Sequence, residues 1–345
     1  MVATTARQIA HRSVSGGVRV TTGTYQLLRP DGRNFGGMSR KVFFDTDPGC
    51  DDAVMLAMAL GHDAIDVVGL STVCGNTTIE NTTRNAHAIL GLGGYDVPVS
   101  RGCGRPLVDD LTTAEWIHGE NGLHGDIPDA DGDTRDIHGA DAIVEAAHEY
   151  GDELTIAAVG PLPNLAIALA KEPRLPDLVE DIYLMGGAAM TTGNVTPMAE
   201  ANFHNDPAAA SRVLQDANTR MVGLDVTNRA TVSPEFIEEF RTADGVRGTI
   251  AEWLDYRPDS GTYPLADAPA IHDAAVVADL IDESVLTFEE YHIEVDTTGG
   301  PCHGAVICDE HGTTDNDPNN RVAVDIDVDR YRDILETGLQ AYATQ

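Results

Sequence analysis

Lysine is almost missing from this chain. Of 22 basic residues only Lys41 and Lys171 are not arginine, against 56 aspartates and glutamates. The resulting formal net charge of -34 repels nucleic acid and anionic membranes, so neither is an expected partner. The acids are spread along the whole chain, which excludes an acidic binding tail. Such acidity reads as a solvated surface suited to a high-salt cytoplasm, where screening tolerates the self-repulsion. Long apolar runs are absent too: nothing approaches the ~18 residues of a membrane span. Residues 1–37 carry no signal-peptide apolar core; polar and short of acids, they read as a disordered extension or as a start placed too far upstream. Cysteine is scarce and scattered, at positions 50, 74, 103, 302 and 308 with no C-x-x-C pair, so neither a disulfide framework nor a zinc site is indicated.

What the chain has is one dense acidic motif. In Lys41–Leu60, KVFFDTDPGCDDAVMLAMAL, the run Val42-Phe43-Phe44 reads as a buried strand and Ala53–Leu60 as a buried helix. Between them lie Asp45, Asp47, Asp51 and Asp52 around the forced turn Pro48-Gly49. Asp51 or Asp52 alone would serve as a helix-capping residue. Four acids so close cannot all stay ionised unaided: either some are protonated, or a cation holds them. Oxygen ligands suit a hard divalent ion, and calcium tolerates irregular geometry best. Cys50, among these acids, reads as a packed small residue rather than a nucleophile.

Strand-like runs then alternate with helices: Ile65–Val73, Val97–Ser100, Leu154–Val159, Ile182–Met185 and Arg220–Leu224 are the strands. This order predicts an α/β fold, a mainly parallel central sheet with helices on both faces, in one domain over residues 38–345. The short strands Tyr291–Val295, Ala305–Cys308 and Arg321–Ile326 predict a small antiparallel C-terminal addition before a last helix, Asp329–Tyr342. The long irregular region Arg101–His138 is expected over the site. Polar loops at Asn76, at Asn194–Asn202 and at His272-Asp273 follow strand-like runs, and a parallel sheet brings such loops to one edge. Asn194, Glu200 and Asn202 offer the donors and acceptors that sugar hydroxyls need.

The motif D-T-D-P-G-C-D-D resembles the signature of the inosine-uridine preferring nucleoside hydrolases. A haloacid dehalogenase phosphatase also opens with D-x-D after a strand, but wants Thr or Val soon after the second Asp, and the basic residues that phosphate requires are nearly missing here. The resemblance covers roughly Arg40–Leu339 and includes Val159-Gly160-Pro161-Leu162 with Asn164, the N-x5-E-x-N pattern from Asn194 to Asn202, and His272-Asp273. It implies that calcium is held by Asp47, Asp52, the carbonyl of Val159 and Asp273. It implies ribose contacts from Asp51, Asn76, Asn194, Glu200 and Asn202, with His118 near the base. The implied reaction is hydrolysis of the N-glycosidic bond of a small-molecule nucleoside, with Asp47 as general base and His272 as acid to the leaving base, histidine being the side chain that titrates near neutrality. The family also implies a homodimer or homotetramer. A binding protein with the same loops and no turnover is the alternative class. The chain departs from the family at Ala274-Ala275-Val276, where relatives carry Pro-Leu-Ala, and at Pro301-Cys302-His303-Gly304, where Thr-Arg-Gly is common.

Overall fold

The run Arg40–Thr46 forms β1, at the middle of the sheet that organises the chain. The computed structural model describes residues 39–125, 132–243, 245–256 and 269–344. The expected N-terminal extension and the stretches 126–131 and 257–268 therefore lie outside the described residues.

After β1 the strands are β2 (Ile65–Thr72), β3 (Val99–Arg101), β4 (Thr134–Arg135), β5 (Leu154–Ala158), β6 (Asp181–Met185) and β7 (Arg220–Val222). Then come β8 (Leu286–Tyr291), β9 (Ile293–Val295), β10 (Val306–Cys308) and β11 (Asn320–Ile326). Nine of them form one sheet in the order β4-β3-β2-β1-β5-β6-β7-β11-β8. Every pairing in it is parallel except β11 with β8. The chain runs outward from β1 to β4, then returns to place β5 on the other side of β1. That reversal opens a crevice at the carboxyl ends of β1 and β5, where open α/β sheets bind ligands.

Both faces of the sheet are covered. Val42 and Phe44 enter one apolar core with the helices Cys50–Gly61, Ala274–Ile281 and Val328–Tyr342, while Phe43, between them, enters the other with Gly139–Tyr150, Pro163–Lys171 and Pro207–Asp216. Burial on both sides is why β1 shows no polar alternation. The helix Cys50–Gly61 is wedged so tightly against Val328–Tyr342 that both crossing points are glycine. A Cβ on Gly338 would meet the Met58 carbonyl oxygen at 2.7 Å, and one on Gly61 would meet the Gly338 oxygen at 2.1 Å.

The small antiparallel addition is narrower than the sequence predicts: it is the two-stranded pair β9-β10. Arg321–Ile326 is not part of it, because β11 pairs with β7 and extends the main sheet. The outermost strand, β8, was hidden by its charged sequence LTFEEY; an edge strand tolerates Glu289 and Glu290 because one side of it faces solvent. The region Arg101–His138 also holds structure, a helical turn Glu115–His118 and the edge strand β4, and the expected strand at Arg220–Leu224 stops at Val222. Among the described residues, no helix is long and apolar enough to cross a membrane.

The glycine crossing gives a test. Alanine favours a helix by about 1 kcal/mol over glycine, yet Gly338→Ala is expected to lower stability by about 1–3 kcal/mol through overpacking. Urea unfolding followed by circular dichroism measures the sign directly.

Candidate active site

β1 ends at Thr46, so Asp47 is the first residue past the sheet, and Pro48-Gly49 turns the chain into the helix Cys50–Gly61. Asp52, in the first turn of that helix, is held by four donors. Its Oδ1 accepts the Thr46 hydroxyl at 2.5 Å and the Asp47 N–H at 3.2 Å; its Oδ2 accepts the Gly49 N–H and the Asn76 amide, both at 3.0 Å. Asp47 Oδ2 accepts the Asn76 backbone N–H at 2.7 Å. Two glycines make room for it: a Cβ on Gly75 would lie 2.1 Å from its Oδ2, and one on Gly160 would lie 2.5 Å from its Oδ1.

Asp273, just before the helix Ala274–Ile281, closes the cluster from the far side of the sheet's reversal. Asp51, Asp52 and Asp273 each place one carboxylate oxygen within 4.8 Å of the others, and all three are buried. Burial pushes every carboxyl here upward: Asp51 and Asp52 rise to about 6, and Asp47 and Asp273 go well above the ordinary range. Burial is the largest cause in each case, with repulsion from Asp51 next for Asp52 and Asp273, and from Asp52 next for Asp47. Asp51 Oδ1 is buried and accepts no hydrogen bond among the described residues. Clustered, buried, all-oxygen and partly unsatisfied donors fit a hard divalent cation.

The acidic motif does not act as one group of four. Asp45 is fully buried within the sheet, and its Oδ1 accepts the Ser71 hydroxyl at 2.6 Å and the Asn164 amide at 2.8 Å. So placed it cannot reach a substrate, which removes the phosphatase reading that used it as nucleophile.

The expected sugar-binding residues are more committed to the fold than their spacing implies. Glu200 caps the short helix Ala201–Asn205, accepting N–H groups from Gly187 and Asn202 at 2.9 Å and from Phe203 at 3.2 Å. The Asn202 amide donates to the Val159 carbonyl at 2.7 Å and to the Met185 carbonyl at 3.1 Å. Asn194 is half-buried, its backbone N–H bonded to the Ala199 carbonyl at 3.2 Å.

His118 and His272 both lie beside the acidic cluster: His118 Nδ1 is 4.0 Å from Asp51 Oδ1, and His272 precedes Asp273 in the chain. His118 is buried and stacks on Tyr256, ring centroids 5.4 Å apart and planes at 17°; the Cys50 N–H donates to its Nδ1 at 3.1 Å. His272 Nδ1 lies 2.8 Å from the Thr227 hydroxyl. Burial lowers both imidazoles to about 4, so both are neutral at neutral pH. This corrects the expectation that His272 titrates near neutrality, which held only for an exposed ring. Thr227 ends the helical turn Leu224–Thr227 after β7, a mostly apolar segment in which the sequence gives no polar-loop signal. Trp116, in the helical turn Glu115–His118, is 53% exposed.

Known proteins were compared with this geometry. The model of the inosine-uridine preferring nucleoside hydrolases matches residues 42–333. The pyrimidine-specific ribonucleoside hydrolase RihB of Escherichia coli O1:K1 is 34% identical over 308 residues, 88% of this chain and 98% of its own. The structure of the purine-preferring ribonucleoside hydrolase from Gardnerella vaginalis superposes with a TM-score of 0.83 at 30% identity, covering 88% of this chain and all of that one. A plant nucleoside hydrolase, PpNRh1, gives 0.80 at 31% identity, covering 88% and 99%. The protein is a hydrolase acting on N-glycosyl compounds. It belongs to the inosine-uridine preferring nucleoside hydrolase family.

The raised carboxyls yield a pH test. Asp51 and Asp52 keep protons up to about pH 6, and a cation must displace them. Divalent-cation affinity is therefore expected to rise with pH through about 6, with net proton release. Calorimetry in buffers of different ionisation enthalpy measures both; affinity flat between pH 5 and 7 would contradict the cluster.

Proposed function

We propose that the protein hydrolyses the N-glycosidic bond of ribonucleosides to ribose and free base, with calcium as its cation. The observation that carries the reading is the buried carboxylate cluster at the sheet's reversal, with Asp47 beside it and two neutral histidines facing it. Asp47, Asp52, Asp273 and the Val159 carbonyl are the proposed calcium ligands. The tightest gathering of oxygens has Asp51 in place of Asp47; Asp52 and Asp273 are common to both sets. Bound there, calcium supplies acidity to water and offsets the repulsion among the carboxylates.

The remaining steps belong to the chain. Asp47, fixed through one oxygen by Asn76, accepts a proton from the attacking water as general base. Asp51, Asn76, Asn194, Glu200 and Asn202 bind ribose hydroxyls, and the bonds that lock Glu200 and Asn202 to the backbone orient them for it. The ionised carboxylates stabilise positive charge developing on the ribosyl ring. His118, backed by Tyr256, faces the base. His272, oriented by Thr227, donates a hydrogen bond from its neutral ring to the departing base, a role that a depressed pKa permits; the base leaves as an anion and takes one proton from solvent, to which Asp47 returns the proton it took from water.

A relative named for pyrimidines is 34% identical and one named for purines 30% identical, so the base ranking is left to experiment. The setting we propose is nucleoside salvage in a high-salt cytoplasm by a homodimer or homotetramer.

The decisive measurement is release of free ribose from inosine, adenosine, uridine and cytidine in concentrated KCl, with and without a calcium chelator. Calcium-dependent release is expected. Binding of calcium and nucleoside by folded protein, with no release from any of the four, would replace the hydrolase reading by a binding one. Asp47→Asn is expected to lower kcat by about 10³ or more while nucleoside affinity changes little. The pH profile of kcat should show no limb near 6.5 from His272, because its ring is already neutral above about 4. An acid-side limb is expected instead, where Asp47 must lose its proton.

A further inference from the structure

We propose that Asn85 is a positioning residue for the hydrolysis inferred above: it clamps the segment carrying His118 onto the carboxylate turn. The proposal rests on that hydrolytic reading for its kinetic consequence and on geometry alone for the clamp.

Asn85 lies in the helix Ile79–Gly93 and is fully buried. Nothing about burying an amide there is favourable unless its donors and acceptor are satisfied. They are satisfied by two different loops of the site. One Nδ2 donates both to the carbonyl of Pro48, at 3.0 Å, and to the carbonyl of Asn121, at 2.9 Å. Pro48 is the residue between Asp47 and Gly49, and Asn121 comes three residues after His118. The acceptor side is occupied too, since the Arg84 guanidinium donates to Asn85 Oδ1 at 3.1 Å and to the Asn121 carbonyl at 3.3 Å. An amide NH₂ has two hydrogens, and here one goes to each loop.

The segment is tied down along its length as well. Leu107 N–H donates to Asp206 Oδ2 at 2.7 Å, the Asn205 amide donates to the Thr112 carbonyl at 2.9 Å, and Ala114 N–H donates to the Asn76 carbonyl at 2.9 Å. These bonds fix its approach from the far side. Asn85 fixes the stretch beyond His118, where Gly119, Gly122 and Gly125 all have positive φ and the Gly119 and Gly122 N–H groups bond within short turns, to the carbonyls of Glu115 and Gly119. Without it the Pro48 carbonyl loses this donor, the Asn121 carbonyl keeps the Arg84 guanidinium, and the imidazole is left with its bond to the Cys50 N–H and its stacking on Tyr256. The clamp therefore acts on the base-facing histidine, whereas Asp52 and Asp47 retain the donors that fix them from Thr46, Gly49 and Asn76. A small displacement of a substrate-facing group is costly in rate or binding.

The same contact can be pushed from its other side. Gly122 has φ +83°, and a Cβ there would lie 2.6 Å from Thr77 Cγ2 and 3.1 Å from Asn85 Nδ2. Gly122→Ala should drive the segment off Asn85 while leaving Asn85 intact.

The test compares wild type, Asn85→Ala and Gly122→Ala by hydrogen exchange, calcium calorimetry and steady-state kinetics on the four nucleosides. Both variants are expected to exchange faster over 115–123 with residues 42–58 still protected, to bind calcium within about twofold of wild type, and to raise KM by about tenfold with an altered ranking of bases. General destabilisation would instead loosen both stretches together and leave KM per folded molecule unchanged; that result overturns the proposal. So does unchanged exchange over 115–123. If Asn85→Ala does not fold, Gly122→Ala carries the same comparison. A wild type that releases no ribose would overturn the hydrolytic reading, while the exchange data would still decide whether Asn85 holds the segment.

Discussion

Asp47, Asp51, Asp52 and Asp273 are buried where their charges repel, and the architecture around them is arranged to tolerate that. A buried carboxylate is costly unless it is hydrogen-bonded, protonated or neutralised by a cation. Asp52 takes four donors, two backbone N–H groups and two side chains. Asp47 takes one, and fits only because Gly75 and Gly160 present no side chain to it. Asp51 keeps an oxygen with no donor at all among the described residues. The deficit of donors is thus graded across the cluster and greatest where the oxygens of Asp51, Asp52 and Asp273 gather. The reversal of strand order between β1 and β5 supplies the location, since only there do loops from both halves of the sheet meet.

Much of this was legible in the sequence. The run of acids after an all-apolar strand located the site, and the alternation of strands and helices gave the sheet its parallel character. The convergence of Asn76, Asp273 and His272 with the motif followed from strand ends sharing one edge. What stayed hidden depended on long-range pairing or on environment. β11 joins β7 across about a hundred residues of chain, and nothing local to RVAVDI distinguishes a main-sheet strand from a hairpin strand. The capping role of Glu200 needs the neighbouring N–H groups of Gly187 and Phe203, which spacing does not reveal. The neutrality of both histidines comes from burial, which a one-letter code does not record.

The fold also separates two jobs that the motif runs together. Asp45 and Asp47 are two residues apart, yet Asp45 stays in the sheet, tying β1 to β2 through Ser71 and to the helix Pro163–Lys171 through Asn164. Its own carboxyl is pushed up to about 7 by burial. Asp47, one strand residue past the sheet, is free to face the crevice. The alternation of a strand places both side chains on one side, and the end of the strand decides which of them joins the acidic cluster.

The bond from the Cys50 N–H to His118 Nδ1 has a chemical corollary. A ring nitrogen that accepts a hydrogen bond has spent its lone pair, so the proton of the neutral imidazole must sit on Nε2. The tautomer is thereby chosen by the main chain and not by any side chain that evolution could exchange at position 50. His118 Nε2 is thereby a one-way hydrogen-bond donor, complementary to a heteroatom lone pair and blind to an N–H group.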